Sequence, residues 1–397
     1  MKKILYSSTA LAAASALALI PSGDAVAAEK AKKISLGFGG SMTMLAGFAT
    51  QDDSFEKASA DDTTGTTHYD NFSLWSNTEV EVKGSVKLDS GITVSVEVEF
   101  EGDQVIANGA NLGAGTAANG SGMTIDHSYM KIHGGFGDVY LGNYASVTGI
   151  LHQSAPWTGA LYPGVDDFAW IQKPAAVTGH PQGKYSTSNG AVDTRAVQYI
   201  SPQFAGARVG VYYRPSNAAS TWEGMPRVGG QSGNETQEYG ASINYENKFD
   251  AVTIKASVAH VKAQGTAANS VNTTFFGGRI LFGDITIGGA FKKESNEDTG
   301  LEGTADSDES EGYDFGIMFK PKGYSVGLHY VHFEMPEASA TAGDDSKTAI
   351  SLGAAYDLGP GVSAVGTLIW VDYEDELTND SNNNSGWAIV GGIKVNF

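Results

Sequence analysis

Two adjacent carboxylates, Asp166 and Asp167, stand in the stretch "APWTGALYPGVDDFAW" (155–170), where apolar and aromatic residues otherwise dominate. Carboxylates carried into a confined space by such a segment can hold a fixed negative field there. Positive charges that could face them are Lys83, Arg195, Arg208, Arg214, Lys255 and Arg279, all in or at the head of stretches where apolar and polar residues alternate. Opposed across a narrow passage, the two sets would order water and sort polar solutes by size and dipole. Bond-making chemistry has little to work with. The eight histidines are scattered, and His127 and His133 have no carboxylate spacing that suggests a metal or a catalytic dyad. No serine sits in a nucleophile elbow. "GFGGS" and "GGFGD" lack the strand-to-helix setting of a nucleotide-binding loop. No enzyme activity and no cofactor are expected.

The elements that must position these charges are strands. In "SLWSNTEVEVKGSVKL", Leu74, Val80, Val82, Val86 and Leu88 share one face, and Asn77, Glu79, Glu81, Lys83 and Lys87 the other. After Asp89-Ser90-Gly91, "ITVSVEVEF" repeats the pattern, with Ile92, Val94, Val96, Val98 and Phe100 opposed to Thr93, Ser95, Glu97 and Glu99. Arms of about nine or more residues exceed the five or six of ordinary soluble strands. Val209, Val211 and Tyr213 take the apolar face of their strand, which turns Arg208 and Arg214 the other way. A basic residue on a lipid-facing surface would cost roughly 2–4 kcal/mol at the bilayer midplane, so these phases are inward.

Connections alternate between short and long. Short turns fall at 89–91, 134–138, 201–206, 247–250, 283–284, 321–323 and 358–361. Long polar segments fall at 50–72, 102–122, 145–194, 215–237, 263–273, 293–311, 333–347 and 374–385. Seven turns and eight loops join about sixteen strands and leave both ends of the sheet at the short-turn side. The expected fold is all-β: one closed transmembrane antiparallel barrel with short periplasmic turns and long extracellular loops. Closure would pair the last strand, "WAIVGGIKVNF", with "KISLGFGGSMTMLAGF", removing both edges; lipid would then cover Ile34, Leu36, Phe38, Met42, Met44 and Phe48.

Composition agrees. The chain has 397 residues, 51 glycines, 11 prolines, no cysteine, and 25 basic against 45 acidic residues, a net charge of −20. Absence of cysteine excludes disulfide frameworks and thiolate metal sites, and the acidic balance argues against nucleic-acid partners. Residues 1–28 read as a cleaved secretory signal, with two lysines, an apolar core at 11–20 and small residues near Ala28. Residues 29–397 would then form the barrel domain.

The chain resembles the Gram-negative general porins, of the sixteen-stranded trimeric kind found in alphaproteobacteria. The resemblance rests on the terminal Phe397, the hairpin "SYMKIHGGFGDVYLGNY" (128–144) and "VQYISPQFAGARVGVYY" (197–213). It implies an outer-membrane, water-filled channel for small hydrophilic solutes, assembled as a homotrimer, with Phe397 read by the barrel-assembly machinery. It also implies a third loop folded inward as the constriction. The segment 145–194 occupies that place, with Asp166 and Asp167 as its acidic side. One departure from the family is that the dense arginine ladder of a strong transverse field is absent. The net charge of −20, the acidic loops at the mouth and Asp166 and Asp167 favour cations, and the inward arginines and lysines oppose them, so a modest cation preference is expected. Residues 293–311, with eight carboxylates and one lysine, and the acids of 50–72 and "VDYEDEL" offer hard oxygen ligands for Ca²⁺ or Mg²⁺ bridging to lipopolysaccharide phosphates. Their spacing matches neither an EF-hand nor a nonapeptide repeat.

Overall fold

The computed structural model describes residues 33–56, 69–102, 124–177, 195–215, 237–264, 270–297, 309–336, 343–377 and 379–397. Alternating residues drive the chain into strands in the order β1 Ser35–Gln51, β2 Phe72–Lys87, β3 Thr93–Glu101, β4 Thr124–Gly134 and β5 Gly137–Asn143. A one-turn helix, α1 (Val147–Ile150), follows in the loop before β6 Arg195–Ile200, β7 Ala207–Arg214, β8 Gln237–Phe249 and β9 Val252–Gln264. The chain continues through β10 Ser270–Phe282, β11 Ile285–Glu297, β12 Glu309–Phe319, β13 Tyr324–Pro336, β14 Asp344–Gly359, β15 Val362–Glu374 and β16 Asn384–Asn396.

Each strand pairs antiparallel with its sequence neighbours, and β16 closes on β1 to complete a sixteen-stranded barrel. Closure is tight at the seam. Gly40 N–H donates to the Phe397 carbonyl at 3.0 Å, and Phe397 N–H donates back to the Gly40 carbonyl at 3.1 Å. A Cβ at Gly40 would lie 2.3 Å from the Glu79 carbonyl, so glycine admits this approach. Several strands run further than the polar composition of the loops suggests: β9 and β10 reach residues 264 and 270, and β13 and β14 reach 336 and 344. Backbone pairing persists past the apolar band because antiparallel arms satisfy each other's amides whatever their side chains.

The outer face is apolar. Leu36, Phe38, Phe48, Leu74, Phe276, Phe315 and Ile389 all lie exposed, Phe38 at 80%. Aromatic residues mark the turn end of this band: Phe204, Phe249, Phe282, Tyr356 and Phe397 are each at least half exposed. Among the described residues no helix is long and apolar enough to cross a membrane; the strands do so instead. This face predicts a measurable asymmetry. Val96 is 44% exposed on it, whereas Ser95 points the other way, opposite Ser85 and Lys131. Val96→Arg should impair folding into lipid vesicles by roughly 2–4 kcal/mol, and Ser95→Arg should be tolerated. Equal folding yields for the two variants, read by heat-modifiable gel mobility, would contradict the assignment of faces.

Candidate pore constriction

Ser146 starts the loop's entry into the barrel. Its Oγ accepts from Gly149 N–H at 3.2 Å and caps α1, while Val147 N–H donates to Gln198 Oε1 of β6 at 2.8 Å. Beyond α1 the described part of the loop has no strand partner; turns and a 3₁₀ helix at Asp167–Ala169 satisfy part of its backbone, and inward-facing side chains of the wall take up other groups. Asn244 of β8 donates to the Leu151 carbonyl, Ser257 of β9 accepts from Gln153 N–H, and Asp314 of β12 accepts from Ala155 N–H, at 2.8–3.0 Å. Thr367 of β15 accepts from Ala160 N–H at 2.8 Å, and Asn384 of β16 donates to the Gln172 carbonyl at 2.7 Å. The described part of the loop thus runs along the lumen face from β6 to β1.

Glycines make room for it. A Cβ on Gly277 of β10 would come within 1.6 Å of the Gln153 carbonyl, and one on Gly353 of β14 within 1.7 Å of that of Thr158. The loop's apolar side chains fill the space between it and the wall. Leu161, Trp170, Ile171 and Val177 pack with Val331, Ala349, Ile369, Val371, Ala388 and Val390, all at most 5% exposed. Each fully buried Leu or Ile here contributes ~1.5–3 kcal/mol to docking.

This packing decides what the anticipated charges do. Asp167 is 0% exposed; its Oδ1 accepts from Lys347 Nζ of β14 at 2.6 Å, and its Oδ2 from Gly164 N–H at 3.0 Å. It pins the loop to the wall and does not face the passage. Asp166 is half-buried, with Oδ2 accepting from Tyr162 N–H at 2.7 Å. Arg279 points inward but clasps the loop, Nε donating to the Ser154 carbonyl at 2.5 Å and Nη2 to that of Ala155 at 3.2 Å. Arg214 is buried in an ion pair with Glu238. Arg208 shares the inward phase of Gly210 and Tyr212 on β7. Lys255 lies inward beside Glu246, 3.1 Å away.

Arg195 corrects the reading of the wall. On β6, Gln198 holds the loop from inside, so period two places Ala196 inward and Arg195 outward with Val197. Its position at the loop-side end of the strand lets the charge reach water. The segment 178–194 and most of 293–311 lie outside the described residues. Of the loop's two tryptophans at 157 and 170, Trp170 is 5% exposed and covers Gly47, whereas Trp157 is 41% exposed.

Opposite the loop, the wall of β2–β4 is charged. Tyr140 packs with Val147 of the loop and pairs across strands with Lys131, which pairs with Ser95; Glu97 and Lys83 therefore share this lumen face. On it lie Glu79, Glu81, Glu97, Glu99 and Glu101, against Lys83 and Lys131. Lys83 Nζ is 2.5 Å from Glu81 and 3.5 Å from Glu97. His127 Nδ1 lies 2.7 Å from Glu99 Oε2, and His133 Nδ1 lies 2.6 Å from Asp138. Spacing along one strand could not reveal these pairs, because each carboxylate comes from the neighbouring strand.

The half-buried Asp166 gives the loop a pH dependence. Burial, offset by the Tyr162 hydrogen bond and reinforced by neighbouring Asp167, pushes its carboxyl from 3.8 to about 6. In an undocked loop it would titrate at the ordinary value, so the docked form binds the proton more tightly. Docking is strongest below pH 4, weakens as pH rises to 6, and is constant above. Current fluctuations should therefore be rarer at pH 5 than at pH 7, and Asp166→Asn should remove that difference. Equal pH dependence in variant and wild type would refute this.

A closed sixteen-stranded barrel, apolar outside, polar inside and narrowed by one docked loop, defines an outer-membrane channel. The profile of the Gram-negative porin family matches residues 7–376, and the chain belongs to that family. Among solved structures it is similar to an anion-selective porin from Comamonas acidovorans, at 16% identity over 92% of this chain and 100% of that one, TM-score 0.61. It is also similar to the outer membrane channel DcaP of Acinetobacter baumannii, at 12% identity over 94% and 100%, TM-score 0.59. A third likeness is to the trimer form of OmpT, an outer membrane protein of Vibrio cholerae, at 12% identity over 92% and 100%, TM-score 0.55. The search of curated proteins found no match.

Proposed function

We propose that this porin is a general diffusion channel with a modest cation preference, passing small hydrophilic solutes and ions without chemistry. The observation that carries this reading is the charge of the open wall: five glutamates on β2 and β3 face the docked loop, with Lys83 and Lys131 among them. At the loop end of the barrel, Asp52, Asp344, Asp372, Glu374 and Asp375 line one recess and add negative potential at the mouth. The Comamonas porin is anion-selective. Selectivity belongs to lumen side chains rather than to the fold, so that property does not transfer at 16% identity. A sugar-specific channel would need a run of exposed rings. Among the described residues of this loop, Trp170 is buried and Trp157 is the large exposed aromatic.

The trimer form of OmpT supports a homotrimer here. Lipid and lipopolysaccharide would surround it, Phe397 would serve the barrel-assembly machinery as its signal, and residues 1–28 would be removed on export. Acid-rich outer segments would take up Ca²⁺ or Mg²⁺ from the lipopolysaccharide layer. Purified protein in a planar bilayer should give stepwise KCl conductance, and liposome swelling should fall smoothly with sugar size. Silent bilayers would refute the channel; uptake of one sugar far above others of its size would refute general diffusion.

A further inference from the structure

Glu97 and Glu99 of β3 and His127 of β4 meet on the lumen face, each offering one ligand atom within 4.8 Å of the others. Glu97 and Glu99 are successive inward residues of one strand, and a register irregularity between Val98 and Phe100 brings His127 of the next strand beside them. The imidazole is held in place: Tyr144, at the root of the docked loop, sets its ring edge-on at 5.2 Å. The site therefore lies beside the constriction. Glu99 is only 6% exposed, so its carboxylate is already largely stripped of water. The strand register adds a second, independent feature: Glu81 is opposite Glu99 and Glu79 is opposite Glu101. Like charges directly opposed destabilise a sheet, and a bound cation would relieve them.

We propose that Glu97, Glu99 and His127 form a lumenal binding station for a first-row divalent transition cation. The inference rests on the reading of the barrel as a cation-preferring channel. Two carboxylate oxygens with one imidazole nitrogen suit Mn²⁺, Fe²⁺, Co²⁺ or Zn²⁺, whereas Ca²⁺ and Mg²⁺ favour sites built wholly of oxygen. Three protein ligands leave water to complete the shell, which suits a cation that must leave again. Lys83, 3.5 Å from Glu97, and Asp126, 3.7 Å from His127 Nε2, are the flanking charges. The lysine weakens binding and favours transient occupancy over a permanent metal.

The test titrates ZnCl₂ into the folded full-length barrel in detergent, followed by calorimetry, with MgCl₂ as control. Wild type should bind Zn²⁺ in a phase that excess Mg²⁺ does not displace. His127→Ala and, separately, Glu97→Gln should weaken that phase at least tenfold while the heat-modifiable gel shift confirms a folded barrel. In planar bilayers Zn²⁺ should lower KCl conductance of wild type more than of His127→Ala. Unchanged affinity in both folded variants, or full displacement by equal Mg²⁺, overturns the metal station. Zn²⁺ binding without any conductance would retain the station and reject the channel; conductance without the His127-dependent phase would do the reverse.

Discussion

Lys347→Met is expected to release the loop. The ammonium of Lys347 is 2% exposed and its partner Asp167 0%, so removing one charge strands the other in a dry interface. Breaking a buried pair this way costs about 3–5 kcal/mol, comparable to burying two of the loop's large apolar side chains. The barrel itself should survive, since its ladder hydrogen bonds do not involve the loop. Expected in a bilayer are a larger mean conductance and frequent transitions between levels, with protease cutting within 147–177 that wild type resists. Asp167→Asn should act in the same direction but less, because an amide can still accept from Gly164 N–H. Apolar replacement of both partners, Asp167→Leu with Lys347→Met, should recover part of the docking. Quiet, wild-type-sized conductance in Lys347→Met would show that the clasp does not hold the loop.

Neutralising the open wall should change ion preference more than neutralising the loop. The triple variant Glu79→Gln, Glu81→Gln, Glu101→Gln removes three charges from the lumen face and leaves Lys83 and Lys131 in place. In a KCl gradient its reversal potential should move toward anion selectivity. The shift should be large at 0.1 M salt and small at 1 M, since the Debye length falls from about 10 Å to about 3 Å. Asp167→Asn should shift the static preference less, because it removes one carboxylate buried against Lys347 rather than three on the open wall. A triple variant with the reversal potential of wild type at low salt would place the selective charges elsewhere. An Asp167 variant that shifts it more would return the selective role to the loop.

Period two along the chain was enough to determine most of the architecture. Ile34, Leu36 and Phe38 share a face, as do Trp387, Ile389 and Ile393, and a strand so divided between lipid and water admits one register only. Glycine- and aspartate-marked turns at 89–91 and 283–284 then ordered the strands. The phase of Lys83, Arg208 and Lys255 followed from their apolar neighbours by the same count. Arg195 escaped it because the phase of β6 is set by Gln198 and the loop inside, not by apolar alternation. A signal for the loop's resting place was present but bears on the inner face: "LIWV" in β15 and "WAIV" in β16 are apolar on both sides, so Ile369, Val371, Ala388 and Val390 demanded a cover within the lumen.

The fate of the charges lay in contacts between residues far apart in the chain. Asp167 finds Lys347 180 positions away, and Asp166 and Asp167, adjacent in sequence, end as a half-buried acid and a buried clasp. His127 meets Glu99 only because β4 pairs beside β3 with a register irregularity. Local alternation fixes which face a side chain takes, since it depends on backbone geometry alone. Whether a lumen charge meets water or a partner depends on what the folded loop brings to it, and no short-range pattern encodes that distance.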